Sequence, residues 1–312
     1  MRALTLKQRS SIAGIGIVLA LAVAAPTSAS IAPAGAEEPP TLDGETLETF
    51  DAFDANQGIA VDDSAFYAIN NASITKHDKT TGEPLMQWVG PEDGPIIHLD
   101  SGAVVDGMLY AAHSNYSDWP MTSSVEMFDI ATMEHSGSYS FGIYRGSFTW
   151  LDRHDAFWWG AFANYNRVPS GDSEAYGMTY NTQIVKMNDA FEVVESWTYP
   201  YELLDSFDPM SNSGGSWGPD GRLYITGHDA AAVYVIELPD AGSVLKWVAT
   251  VNLPSIAGQG IAWDRSGTEP VLWGILRETR QAFAMSIPAQ TGTPQPEVVG
   301  EVHGPGEFVD DL

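Results

Sequence analysis

Apolar and polar positions along this chain alternate in short runs of period two, cut by turn residues, and the runs recur as groups. Val125-Glu-Met-Phe-Asp and Val233-Tyr-Val-Ile-Glu show the alternation of half-buried β-strands. Each group opens on a segment rich in small residues, as at 58–61, 102–105 and 260–263. A run marked by an aromatic follows: Tyr67, Tyr110, Trp159, Tyr224 and Trp273 in the five groups. An alternating run comes third, and a further run such as 85–89 or 245–251 comes fourth. Asp106-Gly107 and Asp220-Gly221 read as type I′ hairpin turns, which need positive φ.

Aligned on the apolar residue that closes the first run (Val61, Val105, Trp150, Trp217, Trp263), the groups are spaced by 44, 45, 67 and 46 residues. Units of this size cannot bury a core alone, so they stack around an axis. The pattern predicts an all-β chain forming a single β-propeller of four-stranded antiparallel blades. Five blades is the direct count. Six follows only if the long third interval and the chain ends hide a degenerate blade. The extra residues of that interval, 167–181 and 201–212, read as loops laid over a blade. Segments 46–53 and 297–303 both read as outer strands, one of which would close the ring.

Composition changes the picture at the N-terminus first. Arg2, Lys7 and Arg9 precede an uncharged apolar run over 12–25, and Ala34-Gly-Ala36 is a small-x-small cleavage signal. Residues 1–36 therefore read as a cleaved signal peptide, 37–44 as a disordered lead, and 45–312 as the propeller domain. The expected location is secreted or periplasmic. The chain has no cysteine, so disulfides contribute nothing and packing must hold the fold. It carries 41 acidic and 14 basic residues, a net charge of −27. Such a surface repels nucleic acid and anionic membranes, leaving a small-molecule or glycan ligand, and a monomer, as the expected state.

In a propeller, the starts of the inner strands and the loops between second and third strands share one face around the channel. Those positions are polar here. Gln57, His98, Ser147, Asn212 and Gln259 lead into inner strands, while Asn71, His113, Asn115, Tyr116, Asn164, Tyr165, His228, Asp229, Arg277 and Arg280 fall in the loops. His113 or His228 would serve as general base and Arg277 as a clamp on a carboxylate or oxyanion. The remaining residues would bind substrate. Alternatively His98, His113 and His228 would hold one divalent metal in the channel, although no fixed metal-ligand spacing is present. The aspartates near the hairpin turns (Asp62, Asp106, Asp152, Asp220, Asp264) read as structural rather than calcium-binding. Gly214-Gly-Ser-Trp-Gly218 matches a nucleophile elbow in letters only, because a turn and a strand follow it instead of a helix.

Gln57-Gly-Ile-Ala-Val-Asp, His113-Ser-Asn-Tyr, Ser211-Asn-Ser-Gly-Gly-Ser-Trp-Gly-Pro-Asp-Gly, Thr226-Gly-His-Asp and Gly258-Gln-Gly-Ile-Ala-Trp-Asp-Arg carry a resemblance. The chain resembles a family of exported bacterial β-propellers that bear the labels cycloisomerase or glutamine cyclotransferase-like. The resemblance implies lyase, cycloisomerase or lactonase chemistry on a sugar acid, lactone or oligosaccharide at the channel mouth. The alternative is a non-catalytic propeller presenting that face to a glycan, peptide or protein.

Overall fold

The computed structural model describes residues 39–143, 145–166 and 177–290. They form a ring of five four-stranded antiparallel blades. Blade one comprises β3 (Gly58–Val61), β4 (Ala65–Asn70), β5 (Ser73–Asp78) and β6 (Pro84–Val89). Blade two is β7 (Leu99–Val105), β8 (Met108–Ser114), β9 (Thr122–Asp129) and β10 (Glu134–Ile143). Blade three is β11 (Ser147–His154), β12 (Phe157–Ala163), β13 (Gln183–Met187) and β14 (Val193–Thr198). Blade four is β15 (Gly214–Trp217), β16 (Leu223–Thr226), β17 (Ala232–Glu237) and β18 (Lys246–Asn252). Blade five takes β19 (Ala262–Asp264), β20 (Val271–Leu276) and β21 (Gln281–Ser286) from the end of the chain. Its outer strand is β2 (Glu45–Asp51), paired antiparallel with β21 from Glu45↔Ser286 to Asp51↔Gln281. The ring is thus closed by the start of the chain, as 46–53 predicted, while 297–303 lies outside the described residues. The expected signal peptide, 1–36, lies outside them too.

Three local readings change. Within the lead expected to be disordered, β1 (Thr41–Asp43) pairs in parallel with β18 and widens blade four to five strands. The segment 201–212, read as loop, contains a short helix, α1 (Tyr201–Phe207). Its Leu203, Leu204 and Phe207 are buried in one cluster with Trp150, Trp159, Tyr199, Trp217 and Tyr234, so the helix plugs the seam between blades three and four. The third interval is long for that reason and for the 164–182 connection, and among the described residues it holds no sixth blade. Finally, of the two predicted I′ turns, Asp106-Gly107 alone has both central residues at positive φ (50° and 80°). At Asp220-Gly221 the glycine alone is left-handed, whereas Asp155 and Ala156 (46° and 63°) form an I′-type corner without glycine.

The aspartates do structural work, though not all of them at turns. Asp62 accepts hydrogen bonds from the Ser64 and Ala65 amides, both at 2.7 Å, and from the Tyr67 hydroxyl at 2.7 Å. Asp220 repeats the pairing with Tyr224, at 3.0 Å. Asp152 lies within β11, not in the turn. Its carboxylate accepts from Ser216 Oγ at 2.8 Å, from the Trp217 amide at 2.8 Å and from Arg265 Nη2 at 2.5 Å. Ser216 Oγ in turn accepts the Trp263 amide at 3.0 Å. Ser216 is therefore a bracing residue and no nucleophile. One buried carboxylate ties blades three, four and five at the end of the axis away from the candidate site.

At the other end the inner strands nearly touch. A Cβ added to Gly58 would lie 2.7 Å from Ser101 Cα, and one on Gly260 would lie 2.6 Å from Gly58 Cα. Ser101 Oγ donates to the carbonyls of Ile59 (3.1 Å) and Ile261 (3.3 Å), so blade two bonds to blades one and five across the axis. Removing one partner of a buried charged network is costly. Asp152→Ala should destabilise the protein by about 3–5 kcal/mol, since it strands Arg265, Ser216 and the Trp217 amide. Equilibrium denaturation of the purified variant checks this, and a loss below about 1 kcal/mol would contradict it.

Candidate functional site

Just above the Ser101 closure, the loop positions of blades one, two, four and five converge. Gln57 ends the lead into β3 and is fixed on both sides of its amide. Its Nε2 donates to Asn71 Oδ1 at 2.6 Å, and its Oε1 accepts Arg277 Nη2 at 3.2 Å. Asn71 anchors the next blade as well, because its carbonyl accepts the Leu99 amide at 2.8 Å. The Gly260 amide donates to the Gln57 carbonyl at 3.0 Å. Gln259 is held at positive φ (68°), and its Nε2 donates to the His228 carbonyl at 2.7 Å. His228 Nδ1 is 2.6 Å from Asp229 Oδ1. Gln57, Asn71, Arg277, Gln259, His228 and Asp229 are thereby brought into one rim.

The floor of this rim is His98 and Asp100. His98 Nε2 lies 3.6 Å from Asp100 Oδ2. The His98 ring also rests 5.1 Å from that of Tyr116. Burial drives the His98 imidazole down to about 4, and the nearby charges of His113, Arg277 and His228 push the same way. The ring is therefore neutral at neutral pH. Asp100 is only 4 % exposed, and its Oδ2 has no hydrogen-bond partner. Burial raises its carboxyl well above the usual range, against the opposing pull of Arg277.

Arg277 is the cation that faces this pair. Burial lowers its guanidinium, and the carboxylates of Asp100 and Asp229 oppose that. Its Nε is buried without a partner, and among the described residues no carboxylate lies within ion-pair distance of it. A desolvated acid, a neutral imidazole and an unpaired guanidinium thus share one floor. Asp100 carries no role in the sequence reading. The available signal was a carboxylate set inside a crowded inner strand.

Several expected residues lie elsewhere. His113 has both nitrogens occupied: Nε2 accepts the Ile97 amide at 3.2 Å, so the proton sits on Nδ1, which donates to Ser124 Oγ at 2.8 Å. Ser124 Oγ passes the chain to Glu126 Oε1 at 2.6 Å, and Glu126 Oε2 meets His135 Nε2 at 2.7 Å. Without a free lone pair, His113 is not placed as a base. Asn212 is fully buried, with Oδ1 accepting from Trp150 Nε1 (2.7 Å) and the Tyr199 hydroxyl (2.8 Å) and Nδ2 donating to the Gly214 and Thr226 carbonyls. That exhausts its amide. Ser147 is buried against Ser114 Oγ at 2.7 Å. Asn115 locks its own loop through Pro120 and Thr122, and Asn164 braces Arg145 and Asn181. Tyr165 packs in an apolar cluster with Met121 and Ala163. Arg280 lines a separate groove with His77. No group of three or more His, Asp or Glu among the described residues is arranged to hold a metal ion, so the His98, His113 and His228 trio does not form a metal centre here.

No family model matches the chain, and no curated protein matches it. Among solved structures, the PQQ-bound aldose sugar dehydrogenase of Streptomyces coelicolor is similar over 82 % of this chain and 84 % of its own, at 16 % identity and a TM-score of 0.45. The WD40 β-propeller domain of Doa1 is 10 % identical over 78 % and 97 % of the two chains, with a TM-score of 0.42. The β-propeller domain of Myceliophteria thermophila Cps50 (Swd1) is 8 % identical over 78 % and 100 %, with a TM-score of 0.43. Likenesses this distant say nothing of chemistry. The five-bladed propeller stands on its own strand pairing, and no named relative stands behind a cycloisomerase or glutamine cyclotransferase-like label.

His98 makes the site a pH liability. Its folded pKa of about 4 lies below the ordinary value of 6.5, so the unfolded chain binds the extra proton first as pH falls. Stability present above pH 6.5 is lost toward pH 4, by roughly 3 kcal/mol from this group. His98→Gln should flatten that part of the stability profile. Denaturation midpoints at pH 7 and 4.5 check it, and an unchanged slope in the variant would contradict it.

Proposed function

We propose that the protein is an exported enzyme that takes a small anionic substrate, a sugar acid or its lactone or oligosaccharide, at the propeller mouth. The supporting observation is Arg277, a desolvated guanidinium aimed by Gln57 and left without a carboxylate in a chain of 41 acidic residues. A substrate carboxylate is the group that would complete it. His98, neutral at neutral pH, offers a lone pair for removing the proton α to that carboxylate. Arg277 would steady the charge that develops on the carboxylate, and protonated Asp100 would hand its proton to the departing oxygen. The pair fits β-elimination best within the lyase, cycloisomerase and lactonase group. Gln57 and Asn71 act as positioning residues for Arg277, and His228 with Asp229 closes the rim.

Purified mature protein should bind uronic acids in calorimetry and release unsaturated product from uronate-containing oligosaccharides, followed by ultraviolet absorbance. Arg277→Gln should lower kcat/KM by about 10²–10³-fold, and His98→Gln by a similar factor. His113→Gln should alter stability more than turnover. Uronate binding with no turnover of any substrate would favour the non-catalytic propeller, and absence of binding would end the proposal.

A further inference from the structure

A groove of about 650 Å³ opens at the seam between blades five and one, beside the place where β2 closes the ring. Its lips are apolar: Phe53 is 78 % and Leu85 52 % exposed, with Pro84 and Met86 beside them. Its polar wall holds Asp51, Thr75, His77, Gln87, Thr279 and Arg280, and of these His77 and Arg280 each contain a buried atom with no hydrogen-bond partner, Nε2 and Nη1. The two atoms ask for opposite things. His77 Nδ1 lies 2.9 Å from the Gly82 carbonyl, which only accepts, so Nδ1 carries the proton and Nε2 is a lone pair awaiting a donor. Burial keeps that ring from taking a second proton. Arg280 Nη1 is a cationic N–H awaiting an acceptor. His77 is only 3 % exposed and is stacked on Phe66 at 4.7 Å, so its ring cannot turn away to solvent.

The charge census sharpens this. Lys79, Arg153, Lys186, Arg222, Lys246 and Arg265 each grip a carboxylate. Among the described residues Arg280 grips none, and neither do Arg277, Arg145 and Lys76, of which Arg145 rests on the Phe162 ring and Lys76 donates to the Ile130 carbonyl. An arginine without an ion pair, set beneath apolar lips, offers an anion site with a hydrophobic collar, while the Asp51 carboxylate on the same wall accepts Gln281 Nε2 at 3.2 Å. We propose that this groove is a second binding site, distinct from the mouth, for a small hydroxy acid with an apolar body. The carboxylate meets Arg280, the hydroxyl donates to His77 Nε2, and the apolar body lies between Phe53 and Leu85.

Calorimetry of the mature protein with 3-phenyllactate tests it, with phenylpropanoate (no hydroxyl) and 2-phenylethanol (no carboxylate) as comparisons. Phenyllactate should bind at one site, and each comparison compound should bind at least about tenfold more weakly. Arg280→Gln and Phe53→Ser should each weaken phenyllactate by about tenfold or more, while Arg277→Gln leaves its affinity unchanged. Phe53 lies on the surface, so that variant keeps its fold and its melting temperature. No binding of phenyllactate up to about 10 mM, or affinity unchanged in both groove variants, overturns the proposal. Loss of affinity in Arg277→Gln also overturns it, by assigning the ligand to the mouth, and uronate binding measured alongside reports on the mouth separately.

Discussion

Five inner strands meet around an axis too narrow for side chains, and the contact of Gly58, Ser101 and Gly260 is where that narrowness is met. A methyl group at either glycine would collide with the neighbouring backbone, so blades one, two and five pack main chain against main chain. Ser101 Oγ then bonds to two carbonyls across the axis and turns the close approach into a closure. The channel therefore has a floor near its mouth. Gln57, His98, Asp100 and Gln259 stand above it and are largely shielded from water by the same packing.

That shielding generates the chemistry. A histidine and an aspartate set 3.6 Å apart on an open surface would titrate near their ordinary values. Here both are buried, so the imidazole's hold on a proton weakens and the carboxyl's strengthens. Gln57 links Asn71 to Arg277 through a fixed amide whose two ends are both engaged. Fold and site thus share one cause: the narrow axis brings Gly58, Ser101 and Gly260 into main-chain contact and buries the polar groups beside it.

The blades were legible because axial crowding and period-two alternation act on local sequence. Small residues had to stand at Gly58 and Gly260, and aromatics at Tyr67, Tyr110, Trp159, Tyr224 and Trp273 mark all five second strands. Helix α1 was not legible, since its Leu203, Leu204 and Phe207 answer a seam made by Trp150, Trp159 and Trp217 from two other blades. Much the same divides the site. Gln57, His98 and Arg277 could be placed at the mouth from strand order alone. The true state of His113 depends on Ile97, Ser124 and Glu126, and that of Asn212 on Trp150 and Tyr199, partners that only the folded ring brings together. Polarity at a loop position shows where a residue sits, but not whether its hydrogen bonds are already spent.

The central claim is that Asp100 is kept as a neutral acid beside a neutral His98. The infrared difference spectrum between the wild-type protein and Asp100→Asn at pH 7 reports on it directly. The account predicts that the variant loses a protonated-carboxyl C=O band. Loss of a carboxylate band in its place would show that Asp100 is ionised and would contradict the account.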